Sequence, residues 1–191
     1  MQCKSAALLG ISLLFATACN KNAPKAPNYA DAINSYYQAH PACLWTDEKR
    51  FPVQADPDDA KAERYDALVD AGLLTRTTSE KKIIIISKRE NNYDISQNGR
   101  GAWTADPNQP GYGNFCYGHR KVSTIDSNSP TGDQPGATVT VNYHYTVTDV
   151  PAWASAQETQ TAFPQLAAVN TPQAATVQLT NTTKGWQVGP S

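Results

Sequence analysis

The side chains able to do chemistry are few and scattered. The chain has 3 histidines and 4 cysteines, and its histidines are His40, His119 and His144. No two of them stand three or four residues apart, and none lies in a Cys/His spacing typical of zinc, so no metal site is implied. Cys43 or Cys116 with His119 would make a nucleophilic pair, provided the thiol were reduced, accessible and low in pKa. Asp58 and Asp59 are adjacent carboxylates, but they suit the positive end of a helix dipole better than acid–base work. Gly111 and Gly113 flank Tyr112 without the strand-to-helix context of a nucleotide loop, so no cofactor is implied. The most suggestive surface is Pro110–His119 (PGYGNFCYGH) with Trp103 nearby. Trp103, Tyr112, Tyr117 and His119 on a stiff loop would stack on sugars or dock peptides with little entropy loss. The competing reading packs Phe115, Tyr117 and Trp103 into the core.

The elements that would position these residues begin after an unusual N-terminus. Lys4 precedes an apolar run, Ser5–Phe15, too short to span a bilayer as a helix. Ala16, Thr17 and Ala18 then lead to Cys19. This resembles the signal and lipobox of a bacterial lipoprotein, with Ala16 standing where that family usually has Leu. The resemblance implies removal of residues 1–18, diacylglycerol on the Cys19 thiol, and an envelope location with the membrane as partner. Asn20, not Asp, follows the cysteine, and by the same resemblance favours the outer membrane, facing the periplasm. Cys3 would be lost with the signal. In that oxidising compartment Cys43 and Cys116 form the expected disulfide, closing a loop of about 74 residues and stabilising the fold by roughly 4 kcal/mol.

The bulk numbers narrow the class further. With 16 Lys plus Arg against 17 Asp plus Glu, the net charge is −1. There is no electrostatic case for nucleic acid or anionic lipid. The aromatics, 4 Trp and 9 Tyr among them, argue for a folded body with a real core. Residues 19–28 read as a lipidated tether, 29–104 as a helical half and 105–191 as an antiparallel β-rich half.

Along the helical half, Asn28 is placed to cap a helix over Tyr29–Ala39 with Ile33, Tyr36 and Tyr37 on one face. Asp56 and Pro57 read as the start of a second helix that ends at Gly72. Ile83–Ile86 predicts a strand, buried on both faces or guarded at an edge by Lys81, Lys82, Lys88 and Arg89. Glu90–Asn92 then predicts a turn, and Tyr93–Ile95 the returning strand. Ser96 is placed to cap a short turn through Gly99. In the second half, Thr138–Thr148 alternates cleanly, with Val139, Val141, Tyr143, Tyr145 and Val147 on one face and His144 on the other. Pro164 splits a helical stretch over 158–169, and two short strands close the chain.

Tyr65–Arg100 resembles the end of a winged helix: a helix ending in Gly-Leu-Leu, a basic hairpin, then Ile95, Ser96, Gly99 and Arg100 in the pattern that follows the wing. DNA binding does not follow. Asp58, Asp59, Glu63, Asp66 and Asp70 on the helix repel phosphate, and an exported protein never meets the chromosome. The closing "GWQV" (Gly185–Val188) looks like the last strands of cystatin-like or NTF2-like folds.

The expected fold is therefore α+β: N-terminal helices with a winged-helix-like β-hairpin, disulfide-linked to a C-terminal antiparallel sheet. The expected role is a non-catalytic, membrane-anchored envelope lipoprotein that binds a protein, peptide or glycan. The alternatives are an envelope hydrolase with a pocket between the halves, and a cytoplasmic winged-helix regulator.

Overall fold

In a computed structural model, residues 28–83, 86–129, 132 and 134–189 are described. The signal-like segment, Cys19 and most of the tether lie outside them. The fold is mixed α and β, and most of it is antiparallel sheet. Among the described residues no helix is long and apolar enough to cross a membrane.

Helix α1 (Tyr29–Ala39) is capped as its sequence demands: the Asn28 side chain accepts from the Asp31 amide at 3.2 Å. Short strands β1 (Ala42–Cys43), β2 (Lys49–Arg50) and β3 (Val53–Ala55) follow. Helix α2 (Ala60–Asp70) starts later than Asp56–Pro57 predicts. Its N-cap is Asp59, whose carboxylate accepts from the Lys61 amide at 2.9 Å. Asp56 is spent elsewhere, since its carboxylate meets Lys88 Nζ at 2.6 Å and that contact lowers its pKa. At the far end, Gly72 at φ 74° lets its own amide reach Val69 O and the Leu73 amide reach Leu68 O. That pair of bonds satisfies the last carbonyls of the helix, which is why a glycine stands there.

Strands β4 (Leu74–Ile83) and β5 (Ile86–Ile95) form a long hairpin, and β3 pairs with the outer side of β5 to give the order β3-β5-β4. Ile83 is the register partner of Ile86. Glu90–Asn92 therefore lies mid-strand, the opposite of the expectation, and Ile84 and Ile85 of the isoleucine run lie outside the described residues. Asn91 reads as a turn residue locally but is buried and satisfied here. It accepts from Thr78 Oγ1 at 2.9 Å and donates to the Tyr93 hydroxyl at 3.1 Å. Tyr93 donates to Asp66 on α2 at 2.9 Å, and Arg76 on β4 reaches the same carboxylate at 2.7 Å. This chain of polar contacts docks α2 on the hairpin and sets the register.

Ser96 does what its position predicts. Its hydroxyl accepts from the Gly99 amide at 2.8 Å and donates to Gly72 O at 2.6 Å, tying α3 (Gly99–Ala102) to the end of α2. Strand β6 (Trp103–Ala105) leads through a Pro/Gly loop to β7 (Tyr112–Ser129), the spine of the larger sheet. That sheet has the order β1-β7-β8-β9-β10, with β2 and β6 also on β7. The remaining strands are β8 (Thr138–Thr148), β9 (Gln173–Thr182) and β10 (Gly185–Val188). Between β8 and β9 lie a 3-10 turn at Ala152–Ser155, helix α4 (Gln157–Ala162) and a second 3-10 turn at Pro164–Ala168, split at Pro164 as expected.

The alternation on β8 is realised without exception. Val139, Val141, Tyr143, Tyr145 and Val147 are all buried. A boundary between residues 104 and 105 falls inside β6. Strands β1, β2 and β6, all from the first half, pair with β7 of the second. The two halves share a single apolar core running from Ile33 to Leu179.

Burial of tyrosines in that core carries a pH consequence. Desolvation raises the pKa of Tyr65, Tyr93, Tyr117 and Tyr143 above the ordinary phenol value of 10.0. The unfolded chain therefore loses these protons first as pH climbs past 10. Stability is full below that point and falls as pH rises through it. Urea midpoints taken at about pH 9 and about pH 11, with tyrosinate absorbance followed in parallel, should show the drop. An unchanged midpoint alongside early tyrosinate formation would refute the burial of these phenols.

Candidate functional site: a cleft at His119 and Asp149

Cys43 and Cys116 are register partners on β1 and β7 and are joined by a disulfide. Beside it the chain is zipped further: Leu44 N donates to Phe115 O, and the buried Asn114 amide bonds both backbone groups of Trp45, at 3.3 and 2.7 Å. Trp45, Phe51, Trp103, Phe115, Trp153 and Phe163 gather in one aromatic cluster on this side. Phe115 sits at its middle, 5.0 Å from Trp103, 6.1 Å from Trp45 and 6.3 Å from Trp153 between ring centroids.

Immediately after the cystine, β7 bends. Gly118 has φ 137°, and a Cβ there would meet Thr148 O at 2.3 Å. No other residue permits this approach. The bend brings His119 opposite Thr148, the last residue of β8. Asp149 follows at φ 60°, and its carboxylate comes to 3.7 Å from His119 Nδ1. At that distance no hydrogen bond forms, and Nδ1 is a buried atom without a partner. Asp149 instead accepts from its neighbour's hydroxyl, Thr148 Oγ1, at 3.1 Å, and is largely exposed.

Two hollows meet at this pair, since His119 and Asp149 line both. One, of about 560 Å³, runs between α3, β6 and the 151–155 turn, past Cys116, Thr104 and Trp153. The other, of about 430 Å³, runs below α1 past Asn34, Gln38, Arg120 and Lys121. The first is the more apolar, and the second carries two cations. A third hollow of about 600 Å³ lies away from this region, between α1 and β10, with Asp31 and Lys184 as its charged groups.

Of the four residues singled out in the sequence, only His119 lines the cleft. Trp103 faces the aromatic cluster, 5.5 Å from Phe51. Tyr117 is buried. Tyr112 is half-buried on the far end of β7 beneath Arg50, whose Cζ is 5.9 Å from the ring centroid. Asp149, Trp153 and Arg120 are missed by sequence reasoning. The one available signal was the Asp-Val-Pro break after β8, which announces a turn but not what it faces. His144 lies away from the core and pairs with Asp126 at 2.7 Å across the β7–β8 bulge.

No protein-family model, curated protein or solved structure matches the chain. The site's own geometry carries the functional argument. Among the described residues His119 has a single carboxylate near it, and no serine or free thiol is bonded to it. The arrangement suits recognition: an apolar trough leading to polar and cationic groups.

Proposed function

We propose that the protein is a non-catalytic envelope lipoprotein, anchored through lipid on Cys19, that binds a peptide- or glycan-containing partner in the cleft at His119. The observation that carries the reading is this open cleft, where Trp153 offers a ring beside polar groups of β6, β7 and the β8 end. The Cys43–Cys116 disulfide supports an oxidising compartment, as does the signal-like segment ahead of Cys19. We place it on the periplasmic face of the outer membrane, by Asn20. Within the fold we read β3, α2, β4 and β5 as a winged-helix-like unit, supported by the strand order β3-β5-β4 flanking one helix. Asp66 of that helix is engaged in docking it to the hairpin, which suits a scaffold and not a DNA reader.

Two measurements test the proposal. The intact mass of the full-length product should show loss of residues 1–18 and a lipid adduct. Titration of the soluble domain with soluble muropeptides, which carry both glycan and peptide, should change its tryptophan fluorescence saturably, and Trp153→Phe should remove most of that change. An unprocessed chain would overturn the anchor, and a flat titration the cleft. The competing envelope hydrolase is favoured by His119 and Asp149 meeting in a hollow between the two halves. It predicts new muropeptide products that disappear in His119→Ala.

A further inference from the structure

Arg120 lies on the sheet face that packs toward α1, opposite Val147, where a charge is costly unless it is compensated. Its guanidinium sits between two aromatic faces, with Cζ 5.1 Å from the Tyr37 centroid and 4.8 Å from that of Tyr145. Nη1 makes one long bond, 3.4 Å, to the Tyr37 hydroxyl, which also accepts from Tyr143 at 3.3 Å. Among the described residues no carboxylate lies within ion-pair distance of it, whereas His144 on the neighbouring strand takes Asp126 at 2.7 Å. The tyrosines hold the guanidinium plane and leave most of its N–H groups unspent. Arg120 also lines the hollow shared with Lys121, Asn34 and Gln38.

We propose that Arg120 is an anion-recognition residue: it takes a carboxylate or phosphate oxygen group of the ligand through a preoriented guanidinium fork, with Lys121 adding charge. This rests on the cleft reading above and deepens it by giving the ligand an acidic end. The stacking tyrosines supply what such a site needs, since a guanidinium held flat loses little freedom when it forms two parallel bonds.

The test uses sodium acetate and sodium phosphate as separate probes at constant ionic strength, followed by the Arg120 Nε–H and the Tyr37 and Tyr145 ring resonances. Saturable shifts at all three, with a dissociation constant on the order of 1–10 mM, are expected for an isolated small anion. Saturation by acetate but not phosphate would identify the group as a carboxylate, and the reverse as a phosphate. Arg120→Met should abolish the effect, and Arg120→Lys, which keeps the charge but not the fork, should weaken it several-fold. Arg120→Lys also guards against a fold defect in the methionine variant, checked by near-UV circular dichroism. Linear, unsaturable shifts in the wild type, or equal binding by folded Arg120→Met, would overturn the proposal. If muropeptides still bind the Arg120→Met protein as tightly as wild type, this inference fails and the cleft reading stands. If wild type binds neither muropeptides nor the anions, both fail.

Discussion

Phe115→Ala is expected to lower the unfolding free energy by about 3–5 kcal/mol. The ring is fully buried and touches the rings of Trp45, Trp103 and Trp153. Truncation removes its transfer free energy and leaves a void whose walls are stiff. Trp45 and Trp103 are held by their own backbone pairings, Trp45 to Asn114 and Trp103 to Phe115 itself. Neither can swing in to fill the space. Edge-to-face ring contacts add about 0.5–1.5 kcal/mol per pair beyond buried area. Phe115→Leu should cost less, because it keeps most of the volume. Urea unfolding followed by far-UV circular dichroism gives the number without relying on tryptophan emission, which the variant itself perturbs. A loss below about 1 kcal/mol would mean that the cluster is not close-packed around this ring.

The second large effect is removal of the cystine. Cys43 and Cys116 are 73 positions apart. On the chain-entropy view, a cross-link over a loop of that length stabilises the folded state by about 4 kcal/mol. A Cys43→Ala/Cys116→Ala double variant should therefore melt about 10 °C lower, at roughly 2–4 °C per kcal/mol for a domain of this size. The native cross-strand pairing of β1 with β7 surrounds the bridge with other bonds, including Leu44 N to Phe115 O at 3.0 Å. The variant should thus fold to the same structure and lose stability only. Because one core spans both halves, it should also melt in a single transition. Two transitions would show that the first half is an independent unit held to the sheet by the bridge, and an unchanged melting temperature would show that the bridge constrains nothing in the unfolded chain.

What the sequence by itself determined is everything set by neighbours a few residues apart. The Asn28 cap, the helix end at Gly72, the Ser96 cap and the alternating face of Thr138–Thr148 were all legible, because each depends on the local backbone and a fixed period. The pairing of Cys43 with Cys116 was legible by elimination once export was assumed. Where a local signal met a long-range one, the long-range one won. Glu90–Asn92 has the composition of a turn, yet it lies mid-strand. Thr78 and Asp66 hold Asn91 and Tyr93 in mid-strand, and a ten-residue ladder outweighs the preference of three residues. Asp56 lost the helix cap to Asp59 for a similar reason, since its carboxylate is drawn to Lys88 on the neighbouring strand β5.

Only the tertiary structure decided the site. His119 and Asp149 stand 30 positions apart in the chain and meet because the β7–β8 pairing ends at His119 and Thr148, an approach that Gly118 permits. Trp103, which the sequence leaves between a recognition surface and the core, is drawn inward because Phe115 faces it across the β6–β7 pairing. Arg120 carries no local sign of its role. It becomes a candidate ligand-binding cation only when α1 brings Tyr37 over it and β8 brings Tyr145 beside it, with no acid among the described residues to neutralise it. Side-chain type sets what each group can do, and the long-range register of the sheet sets which groups share a cleft.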